Sequence, residues 1–331
     1  MVLELVRDLF TGLLSNSLLR GVVVTGVVVF EVGTVYAQPE EHNLTNVEPK
    51  TTYAAFTEPL WPAEMPLALT AANTEYEADC FGVQCAYEVS VPTLSFYPAK
   101  GENTGISLII LPGGGYTVEA IYHEGHEVAE FFSRHGINTA VLKYRIPSPT
   151  HSHTPWEVPL ADARQGLLRL HELASEYELN PDAIGVIGFS AGSHLATWLS
   201  LEESEQLAHN PDFALLIYGV TQMNEENTRW LEESLFHRKM TAAEVREFSF
   251  LDRVTPSAPP SFLVHAMDDD VCHYHESTRY LSALTQQGVK AEMHLFQQGG
   301  HGFGLGRQED GSHQWPALAV EWLRQFSRPM D

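Results

Sequence analysis

The chain has 331 residues and a formal net charge of −24, from 19 Lys and Arg against 43 Asp and Glu. A surface this acidic repels phosphate backbones and anionic headgroups, so nucleic acid and membrane surfaces are set aside as partners. Hydrophobic residues at 44% and charged residues at 19% suffice to bury a full sheet with covering helices, and the length suits one catalytic domain.

The first 37 residues differ from the rest. Arg7 and Arg20 precede the apolar run 21–30, GVVVTGVVVF, and Val35 and Ala37 are small residues at the two positions a signal peptidase reads. We read residues 1–37 as a secretory signal cleaved after Ala37. That places the mature chain in the periplasm or outside the cell, with no stable membrane insertion once the signal is gone. An uncleaved anchor is the alternative, but this run falls short of the roughly 18 apolar residues expected of a spanning helix. Export bears on Cys80 and Cys85, which bracket the short loop CFGVQC: they pair in an oxidising compartment or remain thiols, while Cys272 stands alone. Residues 38–87 are polar, carry several Pro and show no sustained period, so they read as a linker and then an arm lying on the domain.

Residues 88–331 read as the catalytic domain. A strand is expected at 93–97 and another at 106–111, which feeds Leu111-Pro112-Gly113-Gly114-Gly115-Tyr116. Glycines there can present backbone N–H groups to a developing oxyanion, and Gly114 and Gly115 are candidate donors. The run lacks the Lys and Ser/Thr of a phosphate-binding loop. Helical spacing over 119–134 begins with His123 and Glu124, placed either to touch a substrate or to cap and pack the helix start. Tyr116 and His123 are carried as candidate substrate-binding residues. Arg145, after the strand at 138–144, is expected to pair structurally with Asp162 in the helix at 161–177. His151 and His153 have no further ligands at a recognisable spacing, and no metal is expected.

The strand at 183–187 runs into Gly188-Phe189-Ser190-Ala191-Gly192 and a helix over 191–201. Gly-x-Ser-x-Gly at a strand-to-helix turn is a nucleophile elbow: the glycines let the chain turn sharply and leave the serine exposed at a helix N-terminus. Ser190 is the candidate nucleophile, and the Ala191 N–H joins the oxyanion donors. His194 and Trp198 on this helix are expected to pack against the sheet. After a strand at 213–218, residues 221–260 form the one long interruption. It is charged, holds Trp230, Phe236 and Phe248, and is a candidate lid or substrate wall, with Trp230 a candidate substrate-binding residue.

A serine hydroxyl needs a base, and the base needs an orienting acid, in the chain order Ser, Asp or Glu, His. The strand at 261–265 closes on His265 and is followed by Asp268, Asp269 and Asp270. Asp269 is the expected acid, because in related turns the acid stands four residues after the closing His. Asp268 is second, and the carboxylates not used are expected in turn hydrogen bonds. His273 and His275 read as loop residues. After a helix at 276–287 and a strand at 291–296, Gly299-Gly300-His301-Gly302-Phe303-Gly304 lets the chain fold His301 back over Ser190 as the base. A helix at 314–326 follows. The alternation is α/β in class and implies a doubly wound, mostly parallel sheet, the α/β-hydrolase fold.

The ordered blocks LPGGGY (111–116), HEGHEVAEFF (123–132), LKYRIP (142–147), DARQGL (162–167), IGVIGFSAGSHLA (184–196), PDFALLIYGV (211–220), PPSFLVHAMDD (259–269) and GGHGFGLG (299–306) resemble exported bacterial esterases related to acetyl xylan esterases. Members of that group are often labelled xylanase or carbohydrate esterase. The resemblance covers roughly residues 88–326. It implies removal of acetyl or similar short acyl groups from polysaccharide or oligosaccharide through an acyl-enzyme, without metal or organic cofactor. The chain departs from the group in three places: Ser193 stands where Gly is usual, Gly219 where Pro is usual, and Cys272-His273 where Val-Pro is usual. The rival readings are a generalist carboxylesterase on small esters, a serine peptidase of the same fold and a non-catalytic binding module. The peptidase would use the same residues, but the roughly 55 residues between signal and first strand are too few for a propeller. The completeness of the Ser, Asp, His and oxyanion set argues against the silent module.

Overall fold

Strands with apolar residues at consecutive positions have no polar side to offer water and must be covered on both faces. In the computed structural model, which describes residues 54–69, 73–80, 82–202 and 210–327, these runs form the middle of one sheet. The strands in chain order are β1 (Phe56–Pro59), β2 (Tyr76–Cys80), β3 (Val83–Tyr87), β4 (Thr93–Tyr97), β5 (Ser107–Leu111), β6 (Val118–Glu119), β7 (Asn138–Lys143), β8 (Ile184–Phe189), β9 (Ala214–Ile217), β10 (Ser261–Ala266) and β11 (Ala291–Phe296). Eight make the main sheet in the order β1-β4-β7-β5-β8-β9-β10-β11. From β7 to β11 every pairing is parallel, while β1 and β4 pair antiparallel with their neighbours. This is the mostly parallel sheet expected of the α/β-hydrolase fold. The signal expected over 1–37 lies outside the described residues.

The helices are α1 (Glu127–Arg134), α2 (Val158–Leu173), α3 (Ala191–Ser200), α4 (Glu225–Leu231), α5 (Ala242–Glu247), α6 (His275–Gln286) and α7 (Trp315–Leu323). Alternate residues of each strand feed two cores. Ile109 and Leu111 of β5 join Leu167 of α2, Leu195 of α3 and Leu284 of α6. Leu108 and Ile110 join Val128 and Phe132 of α1 with Trp315 and Leu323 of α7. Within the main sheet the next strands in sequence after β5 are β7 on one side and then β8 on the other. The chain reverses direction across the sheet between β5 and β8, and a crevice opens there at their carboxyl ends.

Within residues 38–87, where the sequence shows no sustained period, the described residues contribute more regular structure than an arm implies. β1 pairs with β4 (Phe56 opposite Phe96) as the outer strand of the main sheet. β2 and β3 form a hairpin that pairs with β6, and Cys80 and Cys85 are joined as a disulfide with Cα atoms 5.8 Å apart. These strands are four or five residues long, too short to register as a period, and the strands that β1 and β3 meet in the rest of the domain, β4 and β6, lie farther along the chain. The helix expected at 119–134 opens instead as a π-helical turn, Ile121–His126, before α1 begins. Arg145 and Asp162 form the buried pair expected of them: both oxygens of Asp162 accept from the guanidinium, the Trp61 indole N–H adds a bond at 2.8 Å, and Arg145 also donates to the Pro66 carbonyl. The bridge therefore ties the N-terminal arm to the loop after β7.

Candidate active site

Ser190 sits between the end of β8 and the start of α3 with φ 49° and ψ −116°. An L-residue in that region is strained, and the strain is compensated by the turn around it: the Ser190 amide donates to the Ile217 carbonyl at 2.9 Å. The flanking glycines act through space and not through φ. A Cβ on Gly192 would overlap the Leu111 carbonyl oxygen, so its absence is what lets the head of α3 approach the loop after β5. The Ser190 hydroxyl lies 2.8 Å from His301 Nε2, and His301 Nδ1 lies 2.8 Å from Asp269 Oδ2. With Nδ1–H donating to the carboxylate, Nε2 is left to accept the serine proton.

Asp269 is buried, and its other oxygen accepts from the amides of Val271 and Cys272 at 3.0 and 2.8 Å. Burial alone would raise this carboxyl, but hydrogen bonds from His265, His301 and the Cys272 amide outweigh it and hold it at about 2. His265 Nε2 approaches Asp269 Oδ2 at 3.3 Å and the Cys272 carbonyl at 2.7 Å, which gives the four-residue spacing from His265 its physical meaning. Asp268 does something else: it accepts from the Gly300 amide at 2.8 Å and braces the His301 loop.

The loop 112–116 lies against this relay. Gly114 has φ 133°, and a Cβ there would overlap the Val118 carbonyl, so only glycine fits. Among the described residues the amides of Gly114, Gly115 and Ala191 are taken up by no hydrogen bond, whereas the Gly113 amide donates to Glu124 at 2.8 Å. The Gly115 carbonyl accepts from the Trp230 indole at 3.3 Å. Tyr116, carried as a substrate-binding candidate, is fully buried. Its hydroxyl meets His194 Nδ1 at 2.8 Å and its ring stacks on Trp230, so it supports the wall and does not line the cleft. His123 is half-buried and donates from Nε2 to the Gly302 carbonyl at 3.0 Å, a brace for the base loop.

Residues 221–260 form a wall. Leu231, Leu235, Phe236, Phe248 and Phe250 turn into the core, Met223, Trp230, Met240 and Leu251 are half-buried, and Glu225, Glu226 and Arg229 remain outside. Glu276 of α6 fixes its start, accepting from the amides of Thr221 and Gln222 and the side chains of Thr221, Gln222 and Asn227. His194 and Trp198 also pack against this segment: His194 lies among Trp230, Phe248 and Phe250, and Trp198 contacts Phe248. Burial drives the His194 imidazole down to about 3, so it is neutral.

Two of the three departures turn out to be one. A Cβ on residue 219 would overlap Ser193 Oγ, so Gly219 vacates the space that the Ser193 side chain fills. Cys272 is a buried thiol raised by desolvation, and it serves the acid loop through its amide and carbonyl. Tyr218 has a role that the sequence does not show. It has φ 40°, and its hydroxyl donates to Glu124 and accepts from the Gly304 amide. Nothing in the strand pattern marks it, because its partners lie 94 and 86 residues away. No three His, Cys, Asp or Glu side chains are grouped as metal ligands among the described residues, and none of the described helices is long and apolar enough to cross a membrane.

Fold and side-chain geometry together define a hydrolase of the α/β-hydrolase esterase and lipase superfamily. Residues 162–328 match the prolyl oligopeptidase family, and the chain belongs to that family. It is similar to an acetylxylan esterase of Xylanibacter ruminicola, 26% identical over 69% of this chain and 47% of the relative. It is also similar to the Mycobacterium tuberculosis protein named Probable carboxylic ester hydrolase LipM, 25% identical over 65% of this chain and 52% of the relative. The chain thus spans about half the length of these curated relatives. Among solved structures, an acetyl ester-xyloside bifunctional hydrolase from Caldicellulosiruptor lactoaceticus superposes with a TM-score of 0.69, at 27% identity, over 84% of this chain and 98% of that one.

Proposed function

We propose that the chain is a serine carboxylic ester hydrolase that cleaves esters of short acids, acetate above all, through an acyl-enzyme. The observation that carries this reading is the relay Ser190 Oγ to His301 Nε2 to Asp269 Oδ2, each step 2.8 Å, beside the unengaged amides of Gly114 and Ala191. In the proposed reaction His301 takes the proton of Ser190 as Oγ attacks the ester carbonyl. The oxyanion is stabilised by the amides of Gly114 and Ala191, with Gly115 adjoining. The imidazolium then gives its proton to the departing alcohol, and water, activated by the same imidazole, releases the acid and restores the serine. Asp269 holds the imidazole tautomer throughout.

Short acyl groups suit the wall of residues 221–260, whose apolar side chains are largely committed to the core. Each methylene left unburied forgoes about 0.8 kcal/mol. Acetylated carbohydrate is the substrate class suggested by the names of two of the similar proteins and by the half-buried Trp230, which could stack on a sugar face at the mouth. The family match favours a second reading, a serine peptidase using the same three residues. One experiment separates them: kcat/KM over p-nitrophenyl acetate to octanoate, acetate release from acetylated xylan, and cleavage of peptide anilides. A steep decline from acetate with acetate release supports the carbohydrate reading. A flat acyl profile without glycan activity leaves a generalist carboxylesterase, and anilide cleavage at a comparable rate makes it a peptidase. Export is part of the proposal, and N-terminal sequencing of the secreted fraction should begin at Gln38.

A further inference from the structure

Glu124 neither faces a substrate nor caps a helix. It stands on the π-helical turn Ile121–His126 and is 3% exposed. One of its oxygens accepts from the Gly113 amide at 2.8 Å and the other from the Tyr218 hydroxyl at 2.7 Å. The same hydroxyl accepts from the Gly304 amide at 3.0 Å, three residues past His301. A Cβ built on Gly113 would stand 2.5 Å from Glu124 Oε2 and 3.0 Å from Ser190 Cβ, so the carboxylate, the glycine loop and the nucleophile are packed without a gap. The Tyr218 ring lies 5.1 Å from the His301 ring, centroid to centroid. Burial, and then the charge of Glu124, push the Tyr218 phenol well above its ordinary range, so it stays a donor. From the same turn His123 ties down the Gly302 carbonyl.

Among the described residues no cation pairs with Glu124, and a buried carboxylate so placed is a poor device for stability alone. It spans three loops that converge only in space: the one after β5, the end of β9 and the one carrying His301. We infer that Glu124, acting through Gly113 and Tyr218, is a positioning residue for the reaction: it sets the spacing between the Gly114 amide and His301 across Ser190. The inference rests on the proposed serine hydrolase reading. Loss of the clamp acts on the transition state, because the loops drift from the position of the oxyanion while the cleft remains open to substrate.

The test uses the full chain, with p-nitrophenyl acetate turnover and the rate at which a fluorophosphonate phosphonylates Ser190 with loss of fluoride. Glu124→Ala should lower kcat about 100-fold with KM within about threefold, and Tyr218→Phe should lower kcat about tenfold. The double variant should be no worse than Glu124→Ala, since both break one network. Glu124→Gln, which keeps an acceptor for Gly113, should recover most of the loss, and phosphonylation should slow in the same order. A folded Glu124→Ala with wild-type kcat, or a change in melting temperature alone, overturns the inference. If Glu124→Ala does not fold, Tyr218→Phe decides: wild-type kcat and labelling rate in that variant overturn it. Ser190→Ala run alongside separates the two levels. Activity in that variant defeats the hydrolase reading itself, while an inactive Ser190→Ala with unaffected Glu124 and Tyr218 variants defeats only the clamp.

Discussion

The acid loop and the inserted wall are built in opposite ways. Asp269 takes its amide donors from Val271 and Cys272, two and three residues on, with His265 four residues before it. The wall over residues 221–260 is held by distant partners: Glu276 grips its start, Trp230 reaches Gly115 across 115 residues, and His237 reaches Pro147 across 90. The difference teaches that chemistry in this fold is specified by short motifs at strand ends, whereas the shape of the cleft depends on side chains that meet only after folding.

That division can be broken or sharpened in order of effect. Ser190→Ala should abolish ester hydrolysis, a loss of about a millionfold in kcat, with an unchanged melting curve; residual wild-type turnover would remove Ser190 from the chemistry. Asp269→Asn should cost about ten-thousandfold by supplying the wrong partner for the imidazole, whereas Asp268→Asn, which loosens only the Gly300 brace, should cost less than about tenfold. The reverse ranking in steady-state kinetics would exchange their roles. On the wall side, the His194 imidazole is lowered to about 3 by burial, so the unfolded chain binds its proton first as pH falls. The stability this neutral histidine confers is complete above the unfolded value near 6.5 and is lost between about 6.5 and 3, on the order of 5 kcal/mol. Trp230 fluorescence followed against pH should report release of the wall in that window, and His194→Gln should abolish the transition. Glu276→Ala strands several buried donors and should destabilise by about 2 to 3 kcal/mol. Measured by urea unfolding and acyl-chain profiling, it should blur the preference for acetate while leaving labelling of Ser190 intact.

The same contrast explains what could be read in the sequence. The central parallel strands β5, β8 and β9 announced themselves by apolar runs, and the bounds of β4 and β11 fall at the expected residues. Ser190, Asp269 and His301 stood out because each occupies a turn whose neighbours restrict its chemistry, and the structure brings the three into one relay. Tyr116 was misjudged, since position beside the glycine loop says nothing about burial. β1 escaped notice because four residues carry no period, and its partner β4 begins 37 residues after β1 does. The Glu124–Tyr218 bond joins residues 94 apart, and nothing local to either predicts it. Ser193 and Gly219 looked like two separate departures until their side-chain volumes met in space.

The central claim is that Ser190 carries the acyl group, and it can be tested without steady-state kinetics. The chain is mixed with p-nitrophenyl acetate, quenched in acid within the first turnover, digested and mapped by mass spectrometry. The account predicts one acetyl group, located on the peptide that contains Ser190 and absent from Ser190→Ala. Acetylation at another side chain, such as Cys272 or Ser193, persisting in Ser190→Ala while hydrolysis continues, would contradict it.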